Sequence, residues 1–264
     1  MNGALLRKVS LSAAVAALGL ALTACGGSSD SGGQAQPPAR TLTVSAAASL
    51  TGAYQQLGPE FQAANPGTAV TFNFGGSDSL AQQVVQGAPA DVLATASSRT
   101  MQTAVQAGKI ADEPVIYATN SLQIAVAPNN PKAIASLADL ARPGVVSVVC
   151  APAVPCGAAA EAAEKAAGVT LTPASEEQDV KGVLNRVQTG NADAGLVYVT
   201  DVRSSQGRVT GVDFPEASAQ GAVQSYPIGV VAGSPNADLA QAWIQFVRGP
   251  QGTAALQQAG FVTK

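Results

Sequence analysis

The sequence predicts an α/β protein built as two layered units joined by two crossing strands. Three observations carry this. Short apolar strands alternate with helical patterns from Thr41 onward, the connections are brief and punctuated by Gly and Pro, and two adjacent apolar strands near mid-chain are answered by a strand returning near Val223. A length of 264 residues suits one large or two small α/β domains. The formal charge of −3 forms no basic stripe, which argues against a nucleic-acid partner. No repeat of solenoid period and no heptad pattern occurs.

The first element is a short apolar strand in the stretch Thr41 to Leu50, running through small residues and Ser49 into a helical pattern with Leu50, Tyr54, Leu57 and Phe61 on one face. Ser49 therefore reads as a helix N-cap, where unpaired N–H groups and the positive end of the helix dipole also suit an anion. Asn65-Pro66-Gly67 stops that helix. Thr68 to Phe74 is the next strand, and Gly75-Gly76-Ser77-Asp78-Ser79 opens a helix carrying Leu80, Val84 and Val85. A strand over Asp91 to Thr95 and a helix over Ser97 to Ala107 follow. Strands over Pro114 to Ala118 and Ser121 to Ala127, separated by Thr119-Asn120, then carry the chain to the second unit.

The second unit opens with a short helix near Ser136 to Ala141 and a strand from Val145 to Val149. The loop Cys150-Ala151-Pro152-Ala153-Val154-Pro155-Cys156 leads into a helix over Gly157 to Ala167, and another helix spans Gln178 to Gln188. Ala194 to Val199 reads as a strand containing Tyr198, and Val209 to Phe214 as another. Val223 to Ala232 is the return crossing, and helices over Asp238 to Val247 and Gln251 to Gln258 close the chain. Expected boundaries are 41–120 with 227–264 for one lobe and 121–226 for the other. A pair of crossing strands is a natural hinge and the cleft between lobes a natural ligand site.

Ahead of this lies an export signal: Arg7 and Lys8 precede an uncharged run from Val9 to Leu22, too short for a membrane span of about 20 residues. It ends in Leu22-Thr23-Ala24-Cys25, where small residues before a cysteine resemble the bacterial lipobox and make Cys25 the lipid attachment. The competing reading is an ordinary signal peptide with an incidental cysteine. Cleavage before Cys25 leaves residues 1–24 as signal peptide, and loss of Arg7 and Lys8 takes the charge from −3 to −5. Residues 25–40, rich in Gly, Ser, Gln and Pro, read as a flexible tether at the extracytoplasmic face of the cell membrane. In that oxidising setting Cys150 and Cys156 favour a disulfide over two free thiols or half of a metal site.

Enzyme chemistry finds little here. No histidine exists to activate a serine, Gly75-Gly76-Ser77-Asp78-Ser79 lacks the closing glycine of a nucleophile elbow, and no lysine follows a serine by three positions. Neither a P-loop nor a G-x-G-x-x-G after a strand is present. Ser49, Ser77, Cys156-Gly157 and Glu176 to Val180 each mark the start of a helix, so several neutral donors could meet one oxyanion. Singly, a serine before a helix is usually only a cap, and Tyr198 in an apolar strand is usually a core residue with a locally satisfied hydroxyl. Repetition of the device is what points to binding.

The runs Ala46-Ala47-Ala48-Ser49-Leu50, Gly87-Ala88-Pro89-Ala90-Asp91, Gly195-Leu196-Val197-Tyr198, Tyr226-Pro227-Ile228 and Gly249-Pro250-Gln251 resemble, in order, the molybdate-binding proteins of bacterial ABC importers. The resemblance implies a two-lobed periplasmic-binding-protein fold, each lobe a mixed sheet flanked by helices. It implies a molybdate or tungstate ligand held by the hydroxyls of Ser49, Ser77 and Tyr198 and the backbone N–H groups of Cys156 and Val180. It further implies delivery to an ABC permease by a monomer that has no cofactor, no direct cation site and no catalytic residue. Asp78 departs from the family's pattern and brings a carboxylate near the expected anion; it is expected to point to solvent or to cap its helix. Alternatives are a binder of another anion such as sulfate, and an enzyme on the same scaffold.

Overall fold

The computed structural model describes residues 40–264; the expected signal peptide, Cys25 and nearly all of the tether lie outside the described residues. The first sheet has the order β11-β4-β10-β3-β1-β2. Its strands are β1 (Arg40–Ala47), β2 (Thr68–Gly75), β3 (Val92–Ala94), β4 (Val115–Asn120), β10 (Gln224–Val230) and β11 (Val262–Thr263). The second sheet, β7-β6-β8-β5-β9, contains β5 (Leu122–Val126), β6 (Ser147–Cys150), β7 (Ser175–Glu177), β8 (Ala194–Tyr198) and β9 (Thr210–Val212). Both sheets are mixed. In the first, β1 runs parallel to β2 and β3 while β10 opposes β3 and β4. In the second, β6 runs parallel to β7 and β8 while β5 opposes β8 and β9.

Eight α-helices flank the sheets among the described residues: α1 (Thr51–Ala64), α2 (Ser77–Val85), α3 (Ser98–Gln106), α4 (Pro155–Ala167), α5 (Val180–Gln188), α6 (Val199–Ser204), α7 (Ala237–Arg248) and α8 (Pro250–Ala259). None of them is long and apolar enough to cross a membrane. The apolar spacing of α1 buries Tyr54, Leu57 and Phe61, and the edges of Tyr54 and Phe61 meet the Trp243 ring of α7 at centroid distances of 5.3 and 5.2 Å. One apolar core forms around this aromatic group on the first sheet. A second gathers Val148, Ala159, Val183 and Leu196 on the second sheet.

The passage between sheets is abrupt. Thr119 and Asn120 finish β4 rather than separating two strands, because β10 pairs with both and Val262 pairs with Thr119. Only Ser121 stands between the first sheet and β5. The helix expected from Gln178 begins at Val180, since Ser175–Glu177 is drawn into a ladder with β6 and Asp179 caps the helix by accepting Gly182 N–H at 3.0 Å. The helix α6 was not expected; it follows Tyr198 directly, with the Asp201 carboxylate accepting Tyr198 N–H at 3.1 Å.

Candidate anion-binding site

The pocket that gathers the expected residues lies beyond the carboxyl ends of two sets of adjacent parallel strands, β1 and β2 from the first sheet and β7, β6 and β8 from the second. Ser49, Ser77, Cys156, Val180 and Tyr198 all line it, together with Ala47, Gly76, Ala96, Val154 and Asp179. It is a small pocket, with about 20 Å³ open to the centres of water-sized atoms.

Each residue reaches the pocket by a different local route. Ser49 is not a cap, as the sequence had suggested. It sits within a 3-10 turn, Ala48–Leu50, and the residues at the cap positions of that turn and of α1 are Ala47 and Leu50. Its hydroxyl instead lies 2.7 Å from the Tyr226 hydroxyl, a partner 177 residues away. Ser77 is the first residue of α2, after Gly76, and its Oγ accepts Ala96 N–H at 2.9 Å. That bond uses a lone pair and leaves the Ser77 hydrogen free to donate.

Cys156 stands second in α4, whose first residue, Pro155, has no N–H to satisfy. The helix ladder starts with Ala158 N–H on Val154 C=O, so the amides of Cys156 and Gly157 have no acceptor within the helix. Cys156 is bonded to Cys150, which ties the helix start to the end of β6. Gly157 is required there, because a β-carbon would come within 1.9 Å of the Ala151 carbonyl oxygen. Val180 opens α5 beside Asp179, whose carboxylate is the one acidic group lining the pocket among the described residues and is engaged in capping. Sequence reading passed over Asp179, although Asp179-Val180-Lys181-Gly182 has the form of an N-cap.

Tyr198 is 1% exposed and its hydroxyl has no hydrogen-bond partner. The expectation of a locally satisfied hydroxyl thus fails, and an unpaired buried hydroxyl costs about 1–3 kcal/mol unless something fills the role. Burial raises the Tyr198 phenol well above its ordinary range, with smaller contributions from Tyr226 and Asp201, so it remains a donor. Asp201 is fully buried; burial pushes its carboxyl up, and Lys181, with Nζ 2.8 Å from Oδ1, pulls it down. That pair places a cation and its counter-charge behind the pocket wall rather than in it. No lysine or arginine lines the pocket among the described residues.

Asp78 neither caps α2 nor turns fully to solvent. It occupies the second helical position, makes no capping bond, and buries Oδ1 without a partner, close to where Gly76 meets the Gln178 carbonyl. It does not line the pocket. No group of three or more potential cation ligands is present among the described residues.

A family model described as bacterial extracellular solute-binding protein matches residues 42–262. The chain belongs to that family. This solute-binding protein is 47% identical over 242 residues to the molybdate-binding protein ModA of Mycobacterium tuberculosis, covering 91% of the chain and 92% of the relative. Its fold matches the periplasmic molybdate-binding protein of Azotobacter vinelandii with a TM-score of 0.74 at 20% identity, over 84% of this chain and 98% of the other. It matches the sulfate-binding protein SubI of Mycobacterium tuberculosis with a TM-score of 0.71 at 21% identity, over 84% and 86%. At such identities these likenesses establish the two-lobed fold and do not separate one tetrahedral anion from another. The solute-binding family places the chain among binders and not among enzymes.

Proposed function

We propose that this protein captures molybdate, and tungstate with it, outside the cytoplasmic membrane and hands it to an ABC permease. The lobes in this reading are residues 41–120 with 227–264, and residues 121–226. They close on the anion as a monomer, with a lipid on Cys25 holding the protein at the membrane. The ligand is held by the hydroxyls of Ser49, Ser77 and Tyr198 and the amides of Cys156 and Val180.

The observation that carries this reading is the Tyr198 hydroxyl, buried and unpartnered in a pocket whose other polar groups are amides, serine hydroxyls and one carboxylate already committed to capping. A fully ionised tetrahedral dianion offers only acceptors and satisfies such a set. Hydrogen phosphate brings a proton into a site of hydroxyl and amide donors whose one carboxylate, Asp179, already has Oδ1 engaged as a helix cap. The 47% identity to a protein named for molybdate binding supports molybdate within that class. Hydrogen bonds to a charged group contribute about 1.5–3 kcal/mol each. About five of them, less desolvation and closure, leave about 8–12 kcal/mol, or micromolar to nanomolar affinity.

Titration calorimetry with molybdate, tungstate, sulfate and phosphate tests the assignment. Molybdate and tungstate are expected to bind in that range and phosphate far more weakly. Sulfate binding as tight as molybdate would overturn the molybdate assignment and leave an oxyanion carrier. Membrane fractionation of Cys25→Ala tests the anchor, and release into the soluble fraction is expected.

A further inference from the structure

Behind Ser49 a buried chain of polar side chains runs across the junction of the two sheets. Asn120, the last residue of β4, is 2% exposed and accepts Ser121 N–H on Oδ1 at 3.1 Å. That bond turns its amide nitrogen toward Thr200 Oγ1 at 2.9 Å and the Tyr226 hydroxyl at 3.4 Å. Tyr226, fully buried on β10, lies 2.7 Å from Ser49 Oγ. Thr200 belongs to α6 beside the second sheet, so the chain joins residues from both halves of the fold.

The direction of these bonds follows from which groups can donate. An amide nitrogen has no lone pair to offer and must donate, so the two Asn120 hydrogens go to Thr200 and Tyr226. The Tyr226 oxygen is then an acceptor from Asn120, and its one hydrogen has Ser49 Oγ as its neighbour. If Ser49 donated to Tyr226 instead, the phenolic hydrogen would be buried with no acceptor. Ser49 therefore accepts from Tyr226, and its own hydrogen is free to point into the pocket that Ser49 lines.

We propose that Tyr226, oriented by Asn120, is a positioning residue that fixes Ser49 as a donor to the bound anion, so that a protonated oxygen of the anion meets the Ser49 hydrogen instead of an acceptor. This rests on the oxyanion reading above and adds a source of selectivity that lies outside the pocket. Burial keeps the phenol protonated by raising it above its ordinary range, against the smaller opposing pull of Ser49 and Asn120. The Tyr226 ring also meets the Tyr198 ring edge-on at a centroid distance of 6.3 Å, so one side chain steadies two of the hydroxyl donors.

The test is calorimetry of wild type and Tyr226→Phe with molybdate directly, and with phosphate by displacement at mildly alkaline pH, where phosphate carries one proton. The phenylalanine variant keeps the ring and removes only the directing hydroxyl. Molybdate affinity is expected to fall about tenfold, the loss of about 1.4 kcal/mol, and the preference for molybdate over phosphate to shrink by at least about that factor. Molybdate affinity within about twofold of wild type overturns the proposal, and so does an equal proportional loss for both anions, which is what a merely structural role would give. If Tyr226→Phe does not fold, Asn120→Ala removes the directing amide without touching Tyr226, and the same change in preference is expected at smaller size. Failure of the wild-type protein to bind molybdate would refute the molybdate reading itself, whereas wild-type binding with an unaltered preference in the variant refutes only the role of Tyr226.

Discussion

Gly76 offers the sharpest test of closure between the two halves. Its backbone, at φ −61° and ψ 131°, suits alanine as well as glycine, so Gly76→Ala adds no strain of its own. The added β-carbon would stand 2.5 Å from the Gln178 carbonyl oxygen on the opposite wall. Ordinary contact begins near 3.4 Å, so the closed form must give by about 0.9 Å. Gln178 lies two residues before Val180, and a retreat of that size would lengthen a 2.9 Å amide-to-anion bond beyond 3.6 Å, where it ceases to be one. Loss of one charge-assisted bond costs about 2 kcal/mol, or about 30-fold in Kd. The unliganded protein, free to rest open, should keep its melting temperature or gain slightly, because Gly→Ala at a compatible position stabilises by about 0.4–1 kcal/mol through the unfolded state. Calorimetry with molybdate and a thermal melt of the unliganded variant read both effects. A Kd within about threefold of wild type in a well-folded variant would show that the bound state does not bring Gly76 onto Gln178.

Four further expectations concern single sites. Ser49→Ala and Ser77→Ala should each weaken molybdate binding by about 1.5–3 kcal/mol in calorimetry, and unaltered affinity in both would place the pocket elsewhere. Tyr198→Phe should act with opposite signs: it removes a buried unpaired hydroxyl, so the unliganded protein gains about 1 kcal/mol in denaturant unfolding while anion affinity falls at least about tenfold. Removing both Cys150 and Cys156 as alanines should lower stability by about 2 kcal/mol for so short a loop while molybdate binding survives, since the expected donor at Cys156 is its amide. The Asp238 carboxyl, held at about 2 by hydrogen bonds from Arg40, gives stability that is present above the ordinary carboxylate value and lost as pH falls toward 2. In Arg40→Gln an NMR titration should find Asp238 raised toward its ordinary value, with most of that acid-dependent contribution gone and the backbone N–H groups of Leu239 and Asp238 still lowering it.

What the sequence discloses and what it hides divide along the range of the interactions. The buried face of α1 is legible because Leu50, Tyr54, Leu57 and Phe61 repeat at helical spacing, and all four are at most 1% exposed. The strand β7 is not, because Ser175-Glu176-Glu177 has no apolar pattern and owes its conformation to pairing with β6. The helix α6 escapes notice because it is six residues long and leans on Asp201 capping Tyr198. At the site, the residues that meet were readable from strand-to-helix junctions and from family resemblance, but the state of each hydroxyl was not. Ser49 looked like a cap from its neighbours, yet its partner is Tyr226 on a strand 177 residues later. Asp78 reads as solvent-facing or capping for the same reason, since nothing local reveals that its Oδ1 is buried without a partner beside Gly76.

The choice of neutral donors has a consequence for delivery. Lys181 follows Val180 directly, yet its charge is spent on Asp201 at 2.8 Å behind the wall and is not presented to the ligand. Attraction between opposite charges decays only as the inverse of distance, so a cationic pocket would keep hold of a dianion after its walls began to part. Hydrogen bonds lose most of their strength over less than an ångström. On the proposed reading, a pocket lined by hydroxyls and amides from two sheets would couple affinity steeply to closure, with joined walls holding the anion tightly and a small opening releasing it. In a carrier that must surrender its cargo to a permease, that steepness is the useful property. The polar chain from Ser49 through Tyr226 and Asn120 to Thr200 spans the junction about which such an opening would turn.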